Sequence, residues 1–153
     1  NWFARFKNVL KDTDQQVKYT RNEENIHGMV GAQIINTIRE EYPELFDDEF
    51  RDRIISEAKE AYEAESKIID WMVNGIKEEG LSAVILKEFV KNRINESLKM
   101  IGFPAAFEID KELISSTMWF EEELLGNNMT DFFHSKDTGY SKKSQCFDES
   151  ELF

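Results

Sequence analysis

The chain of 153 residues predicts an all-α fold, a helical bundle, and three observations carry that expectation. Only two Pro and seven Gly interrupt it, while Glu, Lys, Ile and Leu, residues that suit helices, are abundant. Apolar residues recur at spacings of three and four along three long segments instead of alternating as strands require. The breaks between those segments are short, which makes consecutive helices antiparallel neighbours.

The chain opens at Asn1 inside an aromatic-rich helical pattern, Trp2, Phe3, Phe6, Val9 and Leu10, and is expected to be a piece of something longer. After a break around Asp12 to Asp14, which predicts an N-cap there, one face runs Val17, Thr20, Glu24, His27, Gly31, Ile34, Ile38. Those steps of three and four trace a single helical stripe, predicted to be buried. Pro43 ends the helix, because proline disfavours helical geometry in the residue before it. A second helix is predicted from Asp47 or Asp48 to about Gly75, burying Phe50, Ile54, Ala58, Ala61, Ile68 and Met72. Gly80 breaks the pattern. A third helix follows from about Ser82, with Leu86, Phe89, Val90, Ile94, Leu98 and Ile101 inward and Gly102 and Pro104 closing it. A brief helix is predicted over Thr117 to Leu125. Beyond Gly126 the chain turns polar and aperiodic, so residues 1–125 form the expected helical domain and 126–153 an expected mobile tail.

With 41% hydrophobic and 33% charged residues, the composition is that of an ordinary globular domain. Lys and Arg total 19 against 31 Asp and Glu, a formal net charge of −12. That charge repels phosphate backbones and anionic lipid headgroups, so no nucleic acid and no membrane surface is expected as a partner. Cys146 is the one cysteine, which rules out an internal disulfide, and no long apolar run or leader stands out. A cytoplasmic protein is the expectation.

The chemistry is expected at Glu24-x-x-His27, since residues three apart on a helix project from one side and can grip one ion. Spacing alone decides little in so acidic a chain, and Asp131-x-x-His134 repeats it in a polar segment read as a solvated loop. Position distinguishes the first copy. Glu24 and His27 take steps of a stripe otherwise built from Val17, Ile34 and Ile38, so burying the stripe buries a carboxylate that then needs a cation or a dense hydrogen-bond network. Ferritin-like di-metal proteins assemble such sites from a Glu on each of two helices and a Glu-x-x-His on each of two others. This chain offers one such motif, and the remaining ligands would come from before Asn1. Glu65, near the apolar edge of the second helix, is read as a surface or supporting carboxylate.

The run Tyr19-Thr20-Arg21-Asn22-Glu23-Glu24-Asn25-Ile26-His27-Gly28 resembles the second metal-ligand motif of the small, radical-generating subunit of class I ribonucleotide reductase, where Arg-Asp-Glu-x-x-His is usual. Similarity continues through Glu65 to Trp71, through Glu88-Phe89-Val90-Lys91-Asn92-Arg93-Ile94-Asn95 to Ile101-Gly102-Phe103, and through Trp119-Phe120 and Thr130-Asp131-Phe132-Phe133. The resemblance covers the chain from about Val17, in the order and spacing of the family's C-terminal half. It implies a ferritin-like bundle with Glu24 and His27 as metal ligands. Glu23 falls where the family usually has an aspartate coupling the metals to its radical-transfer path. Tyr140 is similar in placement to the tail tyrosine that relays the radical.

The implied cofactor is dinuclear iron, with manganese or a mixed pair also suited to these ligands. The implied partners are the large catalytic subunit, docked through the tail that ends Asp148-Glu149-Ser150-Glu151-Leu152-Phe153, and a second copy of the small subunit. The implied activity is that of the beta subunit of ribonucleoside-diphosphate reductase, with the fragment inactive alone. Two other readings of the same residues are a different di-iron carboxylate oxidase or oxygenase, which needs no such tail, and a metal-free helical interaction module, which leaves Glu24 and His27 without a partner.

Overall fold

A computed structural model describes residues 1–76, 78 and 81–120 of the chain. Among these the fold is all-α, as the sequence predicts, with one isolated bridge between Glu78 and Leu81 as its sole extended pairing. The helices are α1 (Trp2–Lys7), α2 (Lys11–Glu41), α3 (Asp48–Met72), α4 (Ala83–Met100) and α5 (Lys111–Ser115), with a 3₁₀ turn at Pro43–Leu45 between α2 and α3.

Two helix starts follow from their capping residues. The Asp47 side chain accepts a hydrogen bond from the Phe50 N–H at 2.8 Å and the Ser82 hydroxyl accepts one from Ile85 at 3.3 Å, each satisfying an otherwise orphaned donor. Asp110 does the same for α5, a helix that periodicity does not reveal, by accepting from Glu112 and Leu113. The cap expected between Asp12 and Asp14 is displaced. α2 starts at Lys11 after Leu10 in the left-handed region (φ 58°), and Asp12 and Asp14 fall within its first turn, where the helix dipole favours them. Of the helix expected over Thr117 to Leu125, positions 118–120 are helical and the remainder lies outside the described residues, as does the expected tail.

The core lies between α3 and α4. Ile69, Leu98 and Phe103 are its buried apolar side chains. Phe46, Phe50 and Phe103 close one end as a three-ring cluster with centroids 5.3 to 6.4 Å apart. The register expected for α3 holds through Phe50, Ile54 and Ala58 and then drifts. Tyr62, Ser66 and Ile69 turn inward where Ala61, Ile68 and Met72 were expected, because Tyr62 packs on Phe107 at 4.9 Å and draws that face round.

α4 ends in a Schellman motif. Phe103 N–H donates to the Leu98 carbonyl at 2.9 Å, Gly102 N–H to that of Lys99 at 3.0 Å, and Gly102 takes φ 75°, a conformation that costs a side-chain-bearing residue energy.

The long α2 is different in kind. None of its 31 residues is buried, and the stripe predicted to be core is largely solvent-facing, with Val17, Ile34 and Ile38 exposed. Its half-buried positions instead include Asp14, Lys18, Arg21, Ala32, Ile35 and Arg39, a face turned by roughly 100° from the expected one at 100° per residue. The physical reason is that the described residues offer α2 little apolar surface and leave positions 23–30 uncovered. It meets the rest toward its two ends, through the Asn1–Asp14 ion pair and Arg21 over Phe120 on one side of the gap and through Asn36 and Arg39 on the other.

Candidate functional site: a Glu-x-x-His pair on an uncovered face

Glu24 and His27 lie in the middle of α2 on the same side, as a three-residue step requires. His27 Nδ1 and Glu24 Oε2 are 3.7 Å apart, with the imidazole 72% and the carboxylate 69% exposed. The expectation that both sit on a buried face is therefore corrected within this chain: they share a face, and nothing described covers it. Glu23 is exposed on the adjoining side. Glu65 is exposed on α3, matching its expected surface role. Tyr140, and with it Asp131 and His134, lie outside the described residues.

The donor chemistry fits a metal in part. Carboxylate and imidazole bind a small divalent ion at about 2.1 Å, so two donors sharing one ion can stand no more than about 4.2 Å apart. A separation of 3.7 Å meets that limit with little adjustment. The number of donors does not suffice, because among the described residues no group of three or more His, Cys, Asp or Glu side chains converges on one point. Two ligands leave most of the coordination sphere to water or to groups from elsewhere.

The polar groups that α3 and α4 do bury are others. Glu88 is buried on α4, its Oε1 accepting from the Asp110 N–H at 2.7 Å and its Oε2 from Lys91 Nζ at 3.0 Å. The hydrogen bond to Glu88 raises the Lys91 ammonium above its ordinary value; burial opposes it and the Glu88 charge reinforces it. Lys91 also stands over the Tyr62 ring at 5.7 Å. Asn95 uses its whole amide. Its Oδ1 accepts from Ala106 N–H at 2.9 Å and Phe107 N–H at 3.1 Å, and its Nδ2 donates to the Phe107 carbonyl at 2.8 Å. These contacts fix the loop after α4 and are structural.

Arg21, one turn before Glu24, lies on the packed side of α2 with its guanidinium 5.2 Å from the Phe120 ring centroid. Its three nitrogens are buried and have no hydrogen-bond partner among the described residues. Also among these residues, no helix is long and apolar enough to cross a membrane.

Comparison with known proteins bears on what this arrangement belongs to. Residues 1–113 match the family described as "Ribonucleotide reductase, small chain". The chain is 27% identical over 147 residues to a ribonucleoside-diphosphate reductase subunit beta of Treponema pallidum (strain Nichols), covering 93% of this chain and 40% of the relative. It is 32% identical over 123 residues to the protein of the same name from Aquifex aeolicus (strain VF5), covering 79% of this chain and 17% of the relative. A third, from Chlamydia pneumoniae, is 26% identical over 135 residues, covering 88% of this chain and 37% of the relative. The chain thus spans two fifths or less of the length of these curated relatives. The family match takes in α2 with Glu24 and His27, α3, α4 and the loop that Asn95 holds, and the chain belongs to the ribonucleotide reductase small-chain family.

Proposed function

We propose that this chain provides one Glu-x-x-His arm, Glu24 and His27, of a dinuclear metal site in a ribonucleoside-diphosphate reductase beta subunit. The observation that carries the proposal is the state of α2. A helix of 31 residues that buries none of them leaves Val17, Ile26, Met29, Val30, Ile34 and Ile38 exposed, an apolar surface that a covering element would remove from water. Further helices laid over it would bury Glu24 and His27 together with that apolar surface. A carboxylate so buried needs a cation, and its imidazole neighbour is the natural second ligand. The other ligands then come from helices outside this chain.

Iron is the metal this reading favours, with manganese or a mixed pair suited to the same donors. When bound, the metal pair supplies the one-electron oxidising power from which a protein radical arises. The chain's own residues hold and orient. Glu24 and His27 bind from one face of a rigid helix, and we assign Glu23, one residue away, the hydrogen-bonding role that couples the site to its radical-transfer path. We also place the protein in the cytoplasm as a homodimer, with residues 126–153 as the segment that reaches the large catalytic subunit. There Phe147, Leu152 and Phe153 are the docking side chains and Tyr140 is the relay phenol.

The test uses the complete small subunit. His27→Ala should lower bound iron at least tenfold and abolish the radical signal in electron paramagnetic resonance, while residues 1–153 alone should bind iron weakly or not at all. Full metal content in His27→Ala, or stoichiometric tight binding of two irons by this chain alone, overturns the metal-site reading. Ending the chain after Glu149 should leave metal and radical intact and abolish ribonucleotide reduction with the large subunit present. Unchanged affinity of that truncated subunit for the large subunit removes the docking role.

A further inference from the structure

The end of α2 is tied to the end of α4 by an arrangement that a search for metal ligands passes over. Arg39, on the last turns of α2, donates to the Ile101 carbonyl at 2.5 Å through one terminal nitrogen and to Asn36 Oδ1 at 2.8 Å through the other. Asn36 Nδ2 in turn donates to the Met100 carbonyl at 2.9 Å. Met100 and Ile101 carry carbonyls at the C-terminal end of α4, which lack intrahelical partners and stand at the negative end of the helix dipole, so a guanidinium is the favoured capping group. The seat is shaped for it. A Cβ built on Gly102 would collide with an Arg39 terminal nitrogen, so the guanidinium occupies the space a side chain at 102 would fill. Gly102 therefore serves twice, through its positive φ and through its missing Cβ.

From this geometry we infer that Arg39 is the positioning residue for Glu24 and His27, acting through the pose of α2; the inference rests on the metal-site reading. His27 is 12 residues (39 − 27) and Glu24 is 15 residues (39 − 24) from Arg39. At a rise of about 1.5 Å per residue the ligands stand roughly 18 to 22 Å out along a rigid arm. A tilt of about 3° at the Arg39 end displaces them by about 1 Å at that radius. Metal–ligand distances tolerate only about 0.2 Å. The fork of Arg39, together with Asn36, fixes the axial position and rotation of this end of α2 relative to α4, and any helices laid over the middle of α2 pack onto a helix already set by that tie. Lysine in its place keeps the charge but cannot bridge Ile101 and Asn36 at once.

The test uses the complete small subunit in a background otherwise free of cysteine, with nitroxides at Gln16→Cys on α2 and Glu96→Cys on α4, both exposed positions. Pulsed electron paramagnetic resonance on the metal-free protein should give a narrow distance distribution that broadens or shifts in Arg39→Lys and in Gly102→Ala. It should not change in Arg51→Ala, which loses only an exposed pair with Asp48. Titration with Mn(II) should show at least tenfold weaker binding in Arg39→Lys. A merely structural role would lower the denaturation midpoint and leave both the distance distribution of the folded protein and its Mn(II) affinity unchanged, which overturns the inference. His27→Ala separates the two failures. If it leaves Mn(II) affinity unchanged, the metal-site reading falls and this inference with it. If His27→Ala weakens binding and Arg39→Lys does not, only the positioning role is lost.

Discussion

Glu24 and Glu88 sit on two long helices of the same chain, each three residues before an imidazole or a basic side chain, His27 and Lys91. Their surroundings are opposite. Glu24 is 69% exposed and its oxygen stands 3.7 Å from His27, beyond hydrogen-bond range. The Glu88 side chain is 8% exposed and both its oxygens accept hydrogen bonds, at 2.7 and 3.0 Å. The same three-residue spacing is thus a loose surface pair on α2 and a structural tie on α4. What separates them is whether another element lies over the helix: α3 and the loop before α5 cover α4, while nothing described covers the middle of α2.

The largest effects should fall on the covered helix. Glu88→Ala strips Lys91 and the Asp110 N–H of their shared partner in a buried setting, and should cost about 3 kcal/mol in urea unfolding of the chain. Asn95→Ala leaves two N–H groups and one carbonyl of residues 106 and 107 without their side-chain partner and should cost about 2 kcal/mol. If either change is tolerated within the error of the unfolding curve, the loop after α4 is held by something else and the contrast with α2 collapses.

How much of this was legible in the sequence depends on where the partner atoms lie. The long helices, their capping Asp47 and Ser82, and the Gly102 stop could be read because each signal and its consequence sit within four residues. Glu88 and Asn95 could not. Periodicity marks Leu86, Phe89, Val90, Ile94 and Leu98 as inward, and the polar residues between them read as surface. Only the course of residues 103–110, an aperiodic loop, brings backbone donors onto them. A polar residue beside an inward stripe and followed within about a dozen residues by a proline-containing loop is the one signal available. For α2 the stripe was legible and its burial was not, since burial needs a covering surface that these helices do not form.

A smaller effect tests the electrostatics of the covered side. Because hydrogen bonding to Glu88 raises the Lys91 pKa above 10.5, the charged ammonium is favoured by folding. Its contribution to stability is fully present below the unfolded pKa and is lost as pH rises through the folded one. Lys91→Met should therefore be less stable than the parent chain at pH 7, with the gap closing above about pH 10.5. A gap that is constant from pH 7 to 11 would assign the difference to packing on Tyr62 instead of to the charge.

The smallest effects are expected on α2, and they sharpen the contrast most. Glu24→Ala removes a carboxylate whose only described neighbour is a half-ångström beyond hydrogen-bond reach, and Ile34→Ser replaces an apolar side chain already facing solvent. In the chain of residues 1–153 each should change unfolding stability by less than about 0.5 kcal/mol, the range of surface substitutions. The same two changes in the complete small subunit should behave differently, because covering helices would turn Ile34 into a core residue and Glu24 into a metal ligand. There Ile34→Ser should cost about 2 kcal/mol or more, from lost apolar burial and a hydroxyl left in its place. Glu24→Ala should lower metal content without a comparable loss of stability in the metal-free protein, since it removes a buried carboxylate that needs a cation. Context dependence of this kind, absent at Glu88 and present at Glu24, is what an interior helix deprived of its neighbours must show. If Ile34→Ser costs as little in the complete subunit as in this chain, α2 is a surface helix there too, and the metal reading loses the burial on which it rests.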